Sequence, residues 1–481
     1  MSTQFQATIV GAGLGGVMMA IRLAQRGHPV DVFERRPNVD KAHASQRSFT
    51  LTLSKRGLNA LDEIGLMQQA LAITVPLRGR MVHNRDGSTV YVPYGKANDE
   101  QIYSIRRHDV NALLYQKAQE YPNIRFHFNQ RLVQLDKENN LLWFEAERAA
   151  GVRSEPVQAD LLIGGDGVFS MVRQQMQRGE RVDFHQDFLN WGYKDIFIPA
   201  AANNRHAMPP NALHLWPRGG CTFFAFPNID GSFSGNFIGP FDLMEKMQNS
   251  EAAQALLQQD FADLLDVAPT LPQQLLSAPL SHFITVYTSQ WHYKDQMVLL
   301  GDAAHAFTPF WGEGMNASFE DTAALDRCLE QFPMDRAKAF ATYQAMRKPN
   351  TDTLAELAKQ NFIELRDTTA SAHVVARKTI ERKLYQLFPD YWLPLNIMIS
   401  HRLMTYVEAV ERGKKQQKVA RYCGVDLLVW LLTLLLIVQR LGEKVVRSLA
   451  VFNAPPLGNP ASELSFTHQS SGTEARQANR Q

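Results

Sequence analysis

Apolar residues first gather in a short β-branched run, Ala7–Val10, and then recur at helical spacing from Gly13 to Arg26. They alternate again over Val30–Phe33, a segment that ends in Glu34. That order predicts a βαβ opening. Arg78–Gly95 reads as a hairpin turning at Asp86-Gly87, and Leu132–Glu147 as a second turning at Asn139-Asn140. Arg107–Glu120 has a helical pattern. "ADLLIGGDG" (Ala159–Gly167) is an apolar strand running into a glycine loop. From Val182 to Tyr287 short strands dominate ("ALHLWP", "CTFFAFPN", "SFSGNFIG", "HFITVYTSQW"), which predicts a separate, mostly antiparallel sheet. A further apolar run stops at Gly301-Asp302, and a loop with Pro309, Gly312 and Gly314 follows. From Gly312 helices succeed one another to about Leu449. No repeat of fixed period is present.

Composition narrows the function classes. The 481 residues are 45% hydrophobic, enough for more than one lobe. Lys+Arg 50 against Asp+Glu 48 gives a net charge of +2, with no basic face, so nucleic acid is not an expected partner. Cys221, Cys328 and Cys423 are far apart in sequence, have no metal-ligand spacing, and read as buried, reduced thiols of a cytoplasmic protein. With the first strand starting near Gln6, no leader peptide is expected. Nothing in the pattern specifies an oligomeric state. Leu427–Val438 is apolar except for Thr433. Lys414, Lys415, Lys418 and Arg421 precede it, and Arg440, Lys444 and Arg447 follow. The run is short for a span, which needs roughly 20 residues. It reads either as a core helix or, preferably, as a membrane-contact helix. Residues 454–481 are rich in Pro, Gly and Ser and read as disordered.

Three loops carry the chemistry. Gly11, Gly13 and Gly16 form G-x-G-x-x-G between a strand and a helix, with Leu14 and Gly15 inside it. In such a motif the first glycine permits the turn, the second admits a pyrophosphate, and the third lets helix and strand pack. Glu34, at the end of the second strand, sits where a carboxylate accepts a ribose diol. Together these predict a dinucleotide site. The second loop, Gly164–Met176, places Asp166 and Gly167 at another strand end, with Arg173 one helical turn past Ser170. The third places Asp302 likewise.

G-x-G-x-x-G, then D-G-x-x-S-x-V-R, then G-D-A-A-H, in that order, resembles the single-component FAD-dependent aromatic hydroxylases, the p-hydroxybenzoate hydroxylase family. The resemblance implies an α/β fold: a Rossmann-like FAD-binding domain (1–75, 101–180, 289–340), an inserted antiparallel β-sheet substrate domain (76–100, 181–288) and a C-terminal helical region (341–453). It implies one FAD held by both glycine loops. Gly11–Gly16 take the pyrophosphate, Glu34 with Arg35 the ribose, and Arg107, in "IRRHD", the phosphates. Gly301 and Asp302 take the ribityl side, and the Asp166–Arg173 segment serves FAD and a transient NADPH.

Closer features resemble the kynurenine-hydroxylating branch of that family: "RGRMVH", "PYG", "GYKD", "NALHLWP", "FPNIDGSF" and "QNFIELRD". They imply an NAD(P)H- and O2-consuming hydroxylation of an aromatic amino acid through a flavin hydroperoxide, L-kynurenine to 3-hydroxykynurenine. Arg80 and Tyr94 match the carboxylate-binding pair, and Asn361 and Glu364 the polar residues facing the same end. Phe237, Pro309 and Phe310 match the aromatic walls, and Gly312, Glu313, Gly314, Met315 and Asn316 the loop beside the flavin. The chain departs from that pattern at Trp311 (often Phe), at Glu313 (usually Gln) and at Asn396, where bacterial members place a tyrosine. A kynurenine-related substrate therefore stays open. So do a membrane-associated flavin reductase or epoxidase and a non-enzymatic redox module.

Overall fold

The computed structural model describes residues 4–37, 49–96, 100–146, 153–368 and 372–452. The expected tail over 454–481 lies outside them.

Five parallel strands form the cofactor-side sheet. In spatial order they are Met297–Leu299, Leu161–Gly164, Ala7–Val10, Val30–Glu34 and Ile124–Phe128, all parallel, with His292–Tyr293 added antiparallel at one edge. Parallel strands need cover on both faces, which is why Ala7–Val10 and Leu161–Gly164 are apolar or small and buried throughout. The exception, Asp31, is buried but pairs with Arg125 at 2.7 Å and with His127 at 2.8 Å. Helices Leu14–Gln25 and Gly314–Gln331 pack together over this sheet and share its core.

The second sheet has seven strands, in the order Ser281–Thr288, Phe184–Ile198, Phe233–Pro240, Thr222–Pro227, Ala212–Pro217, Gly79–His83 and Thr89–Pro93. The hairpin at Asp86-Gly87 therefore joins the distant 184–288 strands. The join, Gly79–His83 on Ala212–Pro217, is the sheet's parallel pairing; the rest is antiparallel. Short strands do not fill the 182–287 interval. Phe184–Ile198 runs for 15 residues, and four helices, Phe241–Lys246, Ser250–Asp260, Ala262–Val267 and Leu271–Ser277, cover one face of the sheet.

Past Gly312 the described residues are mostly helical to Phe452. The 28-residue helix Arg336–Ile363 passes directly into a π-helical turn, Glu364–Thr368. Of the cysteines, Cys221 and Cys328 are buried, whereas Cys423 is exposed, at the C-cap of Tyr406–Tyr422.

Candidate active site

The two sheets enclose a cavity of about 360 Å³. One end is built by glycine loops. Gly13 caps helix Leu14–Gln25 with no side-chain hydrogen bond, so the first-turn amides are left for a ligand. The three motif glycines divide their work by geometry. A Cβ on Gly11 (φ +106°) would lie 2.4 Å from Gly165 O, and one on Gly16 2.0 Å from Gly11 O. A Cβ on Gly13 would meet nothing within 4 Å, because that position faces the cavity. A dinucleotide diphosphate fits that opening and those free amides.

Gly13, Leu14, Gly15, Gly16, Arg107, Gly167, Gly301 and Asp302 all line the cavity. Asp302 is exposed to the cavity space, although protein surrounds that space on most sides. Desolvation by the surrounding protein raises its carboxyl above the usual range, against the opposing charges of Arg107 and His305. Glu34 is buried behind this wall. Its Oε2 accepts from the Ala12 amide at 2.8 Å, and its Oε1 from the Arg36 amide and Nε. Burial works against its charge, but these contacts hold it below its ordinary value. The partner of Glu34 is Arg36, and the adjacent Arg35 is exposed.

Asp166 and Arg173 have other work. Asp166 accepts from the Met171 and Val172 amides and caps the short helix Met171–Gln177. Arg173 is 1% exposed and donates to Ala303 O at 2.8 Å and Val168 O at 2.7 Å, stapling the second glycine loop to the third. Neither lines the cavity. An arginine one turn past a serine can equally be a staple, and only the tertiary position separates the two roles.

At the far end Arg80 and Tyr94 come together. The guanidinium lies 5.5 Å from the tyrosine ring centre, and Arg80 Nε is buried with no acceptor among the described residues. Asn396 lines the same end and donates to Tyr94 O at 3.0 Å. Between the ends run Pro309, Phe310, Trp311, Gly312, Gly314 and Met315 on one side and sheet residues on the other. Gly312 holds φ +69°, and Thr52 Oγ1 donates to its carbonyl at 2.8 Å.

Five further expected contacts, in the substrate set and the flavin loop, are also absent from the cavity wall. Phe237 is fully buried on the opposite sheet face against Phe261, because side chains alternate along Phe233–Pro240; Asn236 and Ile238 face the cavity instead. The alternation of Phe233 and Phe237 with Ser234 and Asn236 was the sequence signal for this. Asn361 donates to Phe310 O and supports the wall from behind. Glu364 pairs with Lys378, since the π turn carries it off the face of Asn361 and brings Leu365 to the cavity. Asn316 is fully buried, accepting from the Ser54 amide at 3.1 Å and donating to Thr52 O at 3.0 Å. Glu313, 2% exposed, accepts from Ser54 Oγ and Ser400 Oγ, each at 3.1 Å. Wall residues with no role in the expectations include Tyr193, Asn236, Phe283, Ser400 and His401.

Among the described residues no single helix is long and apolar enough to cross a membrane. Tyr406–Tyr422 and Val425–Gln439 together pass that test by length and composition, bent by 78°.

Comparison with known proteins gives one answer at two ranges. The FAD binding domain family matches residues 4–358. The chain is 40% identical over 428 residues to kynurenine 3-monooxygenase of Salinispora tropica, covering 88% of this chain and 94% of that protein. It is 36% identical over 420 residues to the enzyme of the same name from Flavobacterium johnsoniae, covering 86% and 93%. Among solved structures, a tetrameric 2-methyl-3-hydroxypyridine-5-carboxylic acid oxygenase superposes with TM-score 0.61 at 17% identity, covering 84% of this chain and 99% of that one.

Proposed function

The chain belongs to the kynurenine 3-monooxygenase family of FAD-dependent aromatic hydroxylases, and from that membership we propose that its cavity takes L-kynurenine and yields 3-hydroxykynurenine. The enzyme is an FAD-dependent monooxygenase that consumes reduced nicotinamide and O2. The observation that carries the substrate assignment is Arg80. An arginine with a buried, unpartnered Nε beside Tyr94, at the end of the cavity away from the glycine loops, is suited to a desolvated carboxylate.

The residues divide the work. The amides of Leu14–Gly16 would hold the diphosphate of FAD, with Glu34 serving its ribose, Arg107 its phosphates and Asp302 its ribityl chain. When bound and reduced, FAD would activate O2, which is the source of the transferred oxygen. Arg80 and Tyr94 fix the carboxylate end of the substrate, and Asn396 holds Tyr94 in place through its carbonyl. Phe310 and Pro309, with Asn361 behind them, wall the ring and exclude water. The seven-stranded sheet serves as the substrate side and the parallel sheet as the cofactor side. The test is mass analysis of product from purified protein with FAD, NADPH and L-kynurenine. A gain of one oxygen with substrate-stimulated NADPH oxidation is expected; NADPH oxidation that kynurenine leaves unchanged refutes the reading.

The same protein contacts a membrane through its last helices. Leu427, Leu428, Trp430, Leu431, Leu434 and Leu435 are each more than half exposed, and the preceding helix carries Lys414, Lys415, Lys418 and Arg421. An apolar surface of that extent beside basic side chains suits an anionic lipid interface.

A further inference from the structure

Most of the substrate-side wall is apolar: Leu213, Phe224, Phe226, Ile238, Phe283 and Phe310. Asn236 interrupts it. The residue is 9% exposed and lines the cavity. Its Nδ2 donates to Asp195 Oδ1 at 2.7 Å, across the register pair Asp195–Asn236. A side-chain amide in such a wall costs free energy unless something is gained. The bond to Asp195 satisfies one N–H. It leaves Asn236 Oδ1, which has no partner among the described residues, on the cavity side.

An ionised carboxylate can only accept, so Asp195 fixes which end of the amide is presented. Burial pushes the Asp195 carboxyl up, with the Asn236 bond opposing, and no arginine or lysine pairs with it among the described residues. The pair is thus held by one hydrogen bond rather than by a salt bridge.

Its place in the sheet sets a distance. From Gly79–His83, through Ala212–Pro217 and Thr222–Pro227, to Phe233–Pro240 is three strand steps. Three steps span about 14 Å, and the register puts Asn236 in line with Val82, two residues from Arg80, so the two backbones lie roughly 16 Å apart. Once the reach of the arginine side chain is subtracted, the remainder suits an amino acid that carries its aromatic ring on a short ketone arm.

We propose that Asn236, oriented by Asp195, is a specificity residue that accepts a hydrogen bond from an amino group on the aromatic ring of the substrate. The proposal rests on the substrate reading above. It adds that the site distinguishes aminobenzoyl amino acids from the corresponding plain phenyl ketones. A site that leaves a buried acceptor unmet rejects the analogue lacking the donor.

The test compares L-kynurenine with its analogue lacking the ring amino group, 2-amino-4-oxo-4-phenylbutanoate, in native protein, Asn236→Leu and Asp195→Asn, each saturated with FAD. Flavin absorbance and melting temperature establish that each variant is folded. In native protein kcat/KM is expected to favour kynurenine by roughly tenfold or more. In Asn236→Leu the ratio should fall toward one. In Asp195→Asn, which keeps the volume but frees the amide to rotate, it should fall part of the way. Native protein that turns over kynurenine while the ratio stays unchanged in both folded variants overturns this inference alone. Native protein with no kynurenine turnover overturns the substrate reading and this inference with it.

Discussion

The Ser400 hydroxyl donates a hydrogen bond of 3.1 Å to Glu313 Oε1. The bond joins helix Leu395–Ser400, which carries Asn396, to the loop that opens helix Gly314–Gln331. Below it Arg56 pairs with Glu320 at 2.6 Å, and Arg347 pairs with Glu320 at 3.2 Å and Asp321 at 2.7 Å. His305 also meets Asp321 at 2.6 Å, and Glu313 lies beside this paired network with two serine hydroxyls, not a cation, bonded to it. Burial pushes the Glu313 carboxyl up to about 7, Glu320 adds to the rise, and Arg56 opposes it. Burial thus favours the protonated acid, and the charge that opposes it comes from Arg56, far away in sequence.

Glu313→Gln should therefore preserve or improve hydroxylation and flatten its decline above neutral pH. The sign for stability follows. A carboxyl whose folded value rises from 4.5 to about 7 keeps its proton longer when folded, so stability falls as pH rises through that window. The total is at most about 3 kcal/mol. Melting temperature measured at pH 5 and pH 8 should drop less for the variant. If Glu313→Gln abolishes turnover with FAD bound, the carboxylate itself has a required partner.

Gly13→Ala and Gly16→Ala should separate binding from folding. The first places its Cβ in open cavity and should weaken FAD retention on gel filtration with little change in apoprotein stability. The second drives a Cβ to 2.0 Å from Gly11 O and should cost roughly 1–3 kcal/mol or more. Asp302→Ala should behave like Gly13→Ala. Equal loss of stability in all three would contradict this division.

Arg80→Met should raise KM for L-kynurenine by roughly 30-fold or more, since removing one partner of a desolvated charge pair costs about 2–5 kcal/mol. FAD affinity should be unchanged. An unaltered KM would place the carboxylate elsewhere.

Removal of residues 424–481 should move the protein from the membrane pellet to the supernatant. Flotation with liposomes containing anionic lipid is the complementary measurement. Full-length protein that stays soluble and does not float would assign the apolar face of Val425–Phe452 to a contact within the protein.

The readable parts of this sequence were those whose cause is local. The turn at Gly11, the open side of Gly13 and the strand-end acids each follow from backbone demands within a few residues, and all appear in the structure. Roles set by register or by distant partners were harder to read. Phe237 lies behind the wall because period-two alternation turns Asn236 inward. Glu364 leaves the face of Asn361 because the helix widens to a π turn. Arg173 and Asp166 hold loops together through partners that only the tertiary fold supplies. The long strand Phe184–Ile198 was missed because polar residues interrupt it, and its pairing on both sides compensates.

The strand order of the parallel sheet has a consequence for how the protein is made. Ala7–Val10 pairs with Leu161–Gly164, which pairs in turn with Met297–Leu299, the strand that leads to Asp302. A ribosome extending at about 5–20 residues per second takes on the order of 15–60 s to travel from the first glycine loop to the third. Throughout that interval the opening βαβ unit is on a nascent chain whose cofactor seat lacks one wall. Flavin capture belongs to the end of synthesis, and a cell short of FAD would accumulate finished chains rather than stalled ones.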